Sequence, residues 1–408
     1  MFGEGGAYEV SCCFLNKPPA PEPSCSLLFA RNSRNSLTSC KVSCFPFWKK
    51  RSGNSTTPRG AWFVPVCHGW MGRPSKDRLV IARAFVAKAV YGFGLTRQLL
   101  ERLQQDAQLR RICGWQSAHQ LPHESTFSRA FAEFAQMELP QFVHAALIAS
   151  TQKDRLIGHI ARDSTAIEAR ERFPQNTPKP SAPQAAPATS ARKGKPKGKT
   201  GPHRRHKGGK PTRRPKQDTR LHRQRRMQLP EMLADLPRGC SLGVKTKGDG
   251  HQHYWRGYKL HLDVVDGQIP ISAILTAASL HDSQVAIRLA TMTAQRVTSL
   301  YDVMDAAYDA AEIYAHSRSL AHVPIIRPVK RPQKEIPFSG RERGEAREMS
   351  PAQQVRFRQR TMVERVNARL KDEFGGRQIR VRGASKIMAH LMFGVLASTV
   401  DQILKLVS

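Results

Sequence analysis

The stretch YKLHLDVVDGQIPISAIL, residues 258–275, constrains the fold of this chain more than any other. Tyr258, Leu260, Leu262 and Val264 alternate with Lys259, His261 and Asp263, the period of a β-strand whose two faces meet different surroundings. Asp266-Gly267 is a hairpin turn signal with a second apolar run behind it, so the two runs are expected to pair antiparallel. A helix from about Ser283, a strand at SLYDVMD (299–305), a helix after Tyr308 and a strand at VPIIRP (323–328) continue the series. Upstream, the short apolar run from Leu156 to Ala161 leads into Asp163. A hairpin followed by βαβα alternation predicts an α/β fold, a mixed five-stranded sheet with helices on its faces.

Helical periodicity flanks this core. Leu79, Ala82, Phe85, Val86, Ala89 and Val90 recur at helical spacing, Thr96 reads as the N-cap of a second helix carrying Leu99, Leu100 and Leu103, and Phe127, Phe131 and Phe134 stripe a third. Residues 71–150 therefore predict a small all-α domain ahead of the sheet, with basic helices suited to DNA. A final apolar helix is expected over 386–407. The sheet core is then split: 151–171 supply its first strand and 251–408 the remainder. Residues 172–250 between them, rich in Pro, Ala, Gly, Lys and Arg, read as a disordered basic insertion.

Charge narrows the function. The 408 residues carry 66 Lys and Arg against 32 Asp and Glu, a formal +34, which calls for a polyanionic partner, DNA or RNA. Residues 192–226 alone hold sixteen of the cations and one acid, and the rest of the chain stays positive without them. The sequence reading finds no apolar run of the eighteen or so residues a membrane span needs and no secretion signal, so no membrane partner and a cytoplasmic setting are expected. Six of the eight cysteines fall in residues 1–70 (Cys12, Cys13, Cys25, Cys40, Cys44 and Cys67) at spacings that fit no paired Cys-x-x-Cys zinc framework. That segment lacks periodicity and reads as a disordered or spurious N-terminal extension, with Met71 directly before the first patterned residues.

The candidate chemistry lies in three acids. Asp163 and Asp305 each end a strand, and adjacent strands ending in carboxylates place them at one sheet edge. In FRQRTMVERVNARLKDEFGG (357–376), Phe357, Arg360, Glu364 and Lys371 fall within about 60° of one helix face at about 100° per residue, so the one acid of a basic helix sits between two cations. Clustered carboxylates repel unless a divalent cation joins them, and Mg²⁺ favours carboxylates plus phosphate oxygens. Neighbouring acids read otherwise: Asp302 points to the face opposite Asp305, Asp309 is an N-cap, Glu168 is left outside the site, and His281-Asp282 caps a helix.

As a set these motifs resemble the bacterial insertion-sequence transposases of the DDE type, the group with a Tyr-Arg-Glu-Lys signature. Residues 357, 360, 364 and 371 match every spacing of that signature, with Phe357 where Tyr is usual. RDSTAIEA (162–169), MDAAYDA (304–310) and GYKLH…LHDSQ (257–284) match other blocks, and GRPSKDRLVIARAF…TFSRAF (72–131) resembles the group's N-terminal helical domain. The resemblance implies a ribonuclease H-like core with Asp163, Asp305 and Glu364 as catalytic and metal-binding residues. It implies two Mg²⁺ ions, with Mn²⁺ able to substitute. DNA contacts are expected from Phe357, Arg360, Lys371 and Tyr308, in a homodimer on double-stranded DNA, the terminal inverted repeats and target DNA. A catalytically silent DNA-binding remnant and a nuclease of the same fold are the alternatives.

Overall fold

The computed structural model describes residues 76–171, 219–246, 250–328 and 349–407, together with the strands β1 (Leu28–Arg31) and β2 (Leu37–Cys40). These two strands pair antiparallel, so strand structure is present in a segment read as lacking it; the rest of the expected extension, and most of the basic segment, lie outside the described residues.

Five helices come first: α1 (Arg78–Val90), α2 (Thr96–Gln105), α3 (Ala107–Cys113), α4 (Glu124–Gln136) and α5 (Leu139–Gln152). α1 starts where Asp77 accepts a hydrogen bond from the Leu79 amide at 2.8 Å. Thr96 is not the cap of α2 but its first helical residue. The Leu95 amide is satisfied by the Gln98 side chain instead, at 3.0 Å. Phe85 gathers Phe127, Phe131 and Phe134 of α4 within 4.9–6.2 Å, the aromatic stripe expected as core.

The sheet follows. β3 (Leu156–Glu168) is central, antiparallel to β5 (Gln252–Val265) and parallel to β7 (Thr298–Met304). β5 pairs with β6 (Ile269–Ala277) across a turn in which Gly267 has φ +82°, and β7 pairs parallel with β8 (Val323–Ile326). The expected five strands thus run β6-β5-β3-β7-β8. A sixth, β4 (Ser241–Thr246), pairs with the first half of β5. Gly257 marks the place where β5 passes from β4 to its long pairing with β3. Its φ is +152°, and any Cβ there would run into the Ile167 carbonyl.

β4 corrects the extent of the insertion. With α6 (Arg220–Gln224) and α7 (Leu229–Ala234) it shows ordered structure inside the span 172–250, held by the buried Met232, Leu236 and Cys240. Arg220 bonds Asp235 at 2.8 Å, so not every cation of the basic stretch is free for a partner.

On one face the sheet carries α8 (Ser283–Ala294) and α9 (Ala311–Ser319). On the other lie α10 (Pro351–Phe357), α11 (Thr361–Asp372) and the long α12 (Ala384–Val407). α12 is long and apolar enough to cross a membrane, contrary to the sequence reading, yet most of it is buried within the protein. It packs against α1, α4, α5, α11 and β6, and Phe393 stacks on Phe85 at 5.7 Å. Its Gly394 lets α11 come close, since a Cβ there would meet Leu370 and the Phe374 carbonyl at 2.9 Å. The helical segment and the sheet therefore share one continuous core.

The alternating polar residues of β5 do not face water. His261 and Asp263 are fully buried, because α8 lies over the face that the alternation leaves polar.

Candidate active site

Register brings the first two acids together. β3 and β7 run parallel with Arg162 opposite Met304, so the next residues, Asp163 and Asp305, emerge side by side where β7 ends. Asp163 lies opposite Leu262 of β5, on the sheet face that packs against α11. Burial pushes the Asp163 carboxyl up to about 6. The Ser164 amide and Arg360 oppose that rise, while the charges of Asp305 and Asp282 add to it. Asp305 is also raised, chiefly by burial, although it accepts a hydrogen bond from the Ala307 amide at 3.0 Å and lies in reach of Arg360 and Lys245.

The third acid stands on α11. The expected single helix is two, joined by a 3₁₀ turn over Arg358–Arg360. The column survives the joint: Arg360 lies over the Phe357 ring at 5.7 Å and bonds Glu364 at 2.7 Å. Glu364 is half exposed in the first turn of α11, its carboxylate turned to Arg360. No group of three or more His, Cys, Asp or Glu close enough to hold a metal is present among the described residues. Lys371, at the far end of α11, is held below its usual pKa first by burial and then by the cations Arg377 and Lys245. Glu168, at the end of β3, opposes them.

Several expected roles change. Tyr308 is only 1% exposed and packs with Met304, Ile313 and Ile326, so its ring cannot reach a DNA backbone in this arrangement. Asp309 does not cap α9, whose N-cap is Ala310; its carboxylate instead faces the Tyr314 hydroxyl. Asp282 occupies the N-cap position of α8 as expected but makes no capping bond; His281 Nδ1 accepts from the Ser283 amide at 3.4 Å. Asp282 accepts from Lys259 Nζ at 2.9 Å and from the Ser164 hydroxyl, beside Asp163. Burial works against its charge, but His261, Lys259 and Ser164 outweigh burial and hold it below the usual carboxylate range. Asp282 is therefore a fourth carboxylate at the edge of the site. Lys259 lies 23 residues away in sequence, so no local pattern announces this second role.

Asp302 keeps the orientation expected from strand alternation. It is fully buried and accepts from Ser317 Oγ at 2.7 Å, with His322 at 3.3 Å.

The geometry thus combines two adjacent aspartates whose proton affinity burial raises, a third acid one helix away, and cations on the rim. That composition suits chemistry on a phosphodiester. No curated protein and no solved structure matches the chain. A transposase domain (DUF772) matches residues 62–133, beginning ahead of Met71. The transposase DDE domain matches residues 157–400, from the start of the central strand into the buried C-terminal helix. With more than half of its length matched, the chain belongs to the DDE transposase family.

Proposed function

We propose that this transposase binds the terminal inverted repeats of an insertion sequence as a homodimer. It then cleaves the ends by metal-dependent phosphodiester hydrolysis and joins the freed 3′-hydroxyls to target DNA. The observation that carries the reading is the β3–β7 register that sets Asp163 beside Asp305, under the helix that bears Glu364.

Asp163, Asp305 and Glu364 are the residues that would hold Mg²⁺, two ions in this reading, with Mn²⁺ as a substitute. The donor set fits. Asp163 is a carboxylate whose proton affinity the neighbouring Asp305 raises, and Glu364 is paired with Arg360 by an i,i+4 contact of the kind that contributes roughly a few tenths of a kcal/mol. When bound, such cations activate the attacking oxygen and neutralise the leaving one. The chain's own part is to place and screen the DNA. Arg360 and Lys371 would hold backbone phosphates, Phe357 offers a ring to stack on, and residues 71–150 would contact the repeats. The basic stretch over 192–226 would add affinity that ignores sequence and falls with salt. The setting is the cytoplasm, on nucleoid DNA.

Incubation of the purified chain with Mg²⁺, linear DNA ending in the element's repeats and a target plasmid tests this. Cut and joined products are expected from the wild type, and none from Asp163→Ala, Asp305→Ala or Glu364→Ala, which should still bind the repeats. Cutting by any of the three removes that residue from the site. Cleavage without joined products would make the protein a nuclease of the same fold, and binding without cleavage a silent remnant.

A further inference from the structure

One row of side chains before the acids, on the opposite face of the sheet, Arg162 crosses three strands. Its Nε and Nη2 donate to the two carboxylate oxygens of Asp263 on β5 at 2.7 and 2.8 Å. On its other side, Nη1 meets Met304 Sδ of β7 at 3.3 Å and Nη2 lies 4.0 Å from Asp302. Both carboxylates are anchored from the helices above: Thr293 of α8 donates to Asp263 at 2.7 Å, and Ser317 of α9 donates to Asp302 at 2.7 Å. Arg162 is 1% exposed and the two acids 0%.

We infer that Arg162 is a positioning residue. Its planar fork, closed by Asp263 and Asp302, fixes the lateral spacing and register of β5, β3 and β7, and so sets how Asp163 and Asp305 face one another. The inference rests on the proposed metal-dependent reaction and adds a determinant outside the three acids.

The physical argument has three parts. A fully buried guanidinium with two carboxylates is a weak source of net stability, because desolvation consumes most of the attraction. What it supplies is direction: a bidentate pair tolerates little displacement, where apolar contacts tolerate more. The row it occupies matters most. Arg162 and Met304 immediately precede Asp163 and Asp305, and a slip by one residue would turn either acid to the wrong face.

The test uses the full-length chain. Arg162→Lys keeps the charge and loses the fork, while the milder Thr293→Val removes a single bond to Asp263. Mn²⁺ binding followed by electron paramagnetic resonance should weaken about tenfold in Arg162→Lys and two- to threefold in Thr293→Val. The Mg²⁺ concentration that half-saturates cleavage should rise in parallel, and repeat binding without metal should stay unchanged. His144→Asn, which disturbs a buried contact between α5 and the Pro270 carbonyl that involves no member of this network, should lower the thermal midpoint and leave Mn²⁺ affinity alone. If Arg162→Lys does not fold, Thr293→Val decides. Wild-type Mn²⁺ affinity in the folded variants overturns the positioning role. A wild-type protein that neither binds Mn²⁺ nor cuts overturns the proposed function instead.

Discussion

The two faces of the central sheet are equally dry and are built from opposite materials. On the side of α11 and α12, Ala161, Leu260, Leu262 and Val264 meet Val363, Val366, Leu370 and the apolar length of α12. On the side of α8 and α9, the same strands present Arg162, His261, Asp263 and Asp302, and each of these has a polar partner. Hydrocarbon supplies most of the free energy of burial, but it is indifferent to small displacements. Directional bonds supply little net energy and fix positions. Asp163 lies on the side of α11, one row after Arg162 on the polar side.

The comparison can be broken most forcefully at its charged centre. Arg162→Met leaves two buried carboxylates without their cation and should cost about 3–5 kcal/mol in urea unfolding. Replacing Asp263 by Leu in the same chain should return part of that loss. A loss below about 1 kcal/mol would mean that the polar face is wetter than it looks.

On the hydrocarbon side, Leu262→Ala should cost about 3 kcal/mol, from transfer and cavity together. It should leave the Mn²⁺ affinity of the folded fraction closer to the wild type than Arg162→Lys does. Equal effects of the two variants on metal binding would erase the distinction between the faces.

Acid affects both faces. Burial lowers His261 and His316 to about 4 on the polar side, and His144 and His390 to about 3 and 4 on the apolar side. A histidine whose folded pKa lies below 6.5 takes up its proton later than the unfolded chain does. Stability therefore falls as pH drops below about 6.5, and this loss levels off below the folded value. The urea midpoint should decline between pH 6.5 and 4, and His261→Asn should flatten that decline by the share of one proton. An unchanged slope would mean that His261 is protonated in the fold.

The smallest effect belongs to the exposed rim. Glu364→Gln breaks the pair with Arg360 at 2.7 Å, in which Glu364 is 47% exposed, and should change stability by less than about 0.5 kcal/mol. A larger loss would give that pair a structural role beside its proposed chemistry.

How much of this was legible in the sequence follows the same division. Strand period, the Asp266-Gly267 turn and the βα alternation carried the five principal strands, since these signals are local. The adjacency of Asp163 and Asp305 was legible in part: Asp305 follows the last residue of β7 as expected, whereas Asp163 lies inside β3, which continues to Glu168, and not at its end. β4 was hidden by its neighbourhood: SLGVKT is short and follows a segment whose composition is dominated by Arg, Lys and Pro. The burial of Asp263 and His261 was not legible, because alternation reports a change of environment, not whether either environment is water. Tyr308 matched a motif, but its burial depends on α8, α9 and β8 closing around it. Asp282 and Arg162 owe their roles to partners 23 and 101 residues away, and no local pattern encodes them.

The position of α12 in the chain has a consequence for synthesis. Domains commonly begin to fold as they leave the ribosome, from the N-terminus onward. Here α1, α4, α5, α11 and β6 all close on a helix that is translated after every one of them. Until residues 384–407 emerge, the Phe85 cluster and the apolar side of the sheet have no lid, so the nascent chain carries its core open for nearly its whole length. A stop codon within residues 384–407 should therefore be as damaging as one inside the central sheet.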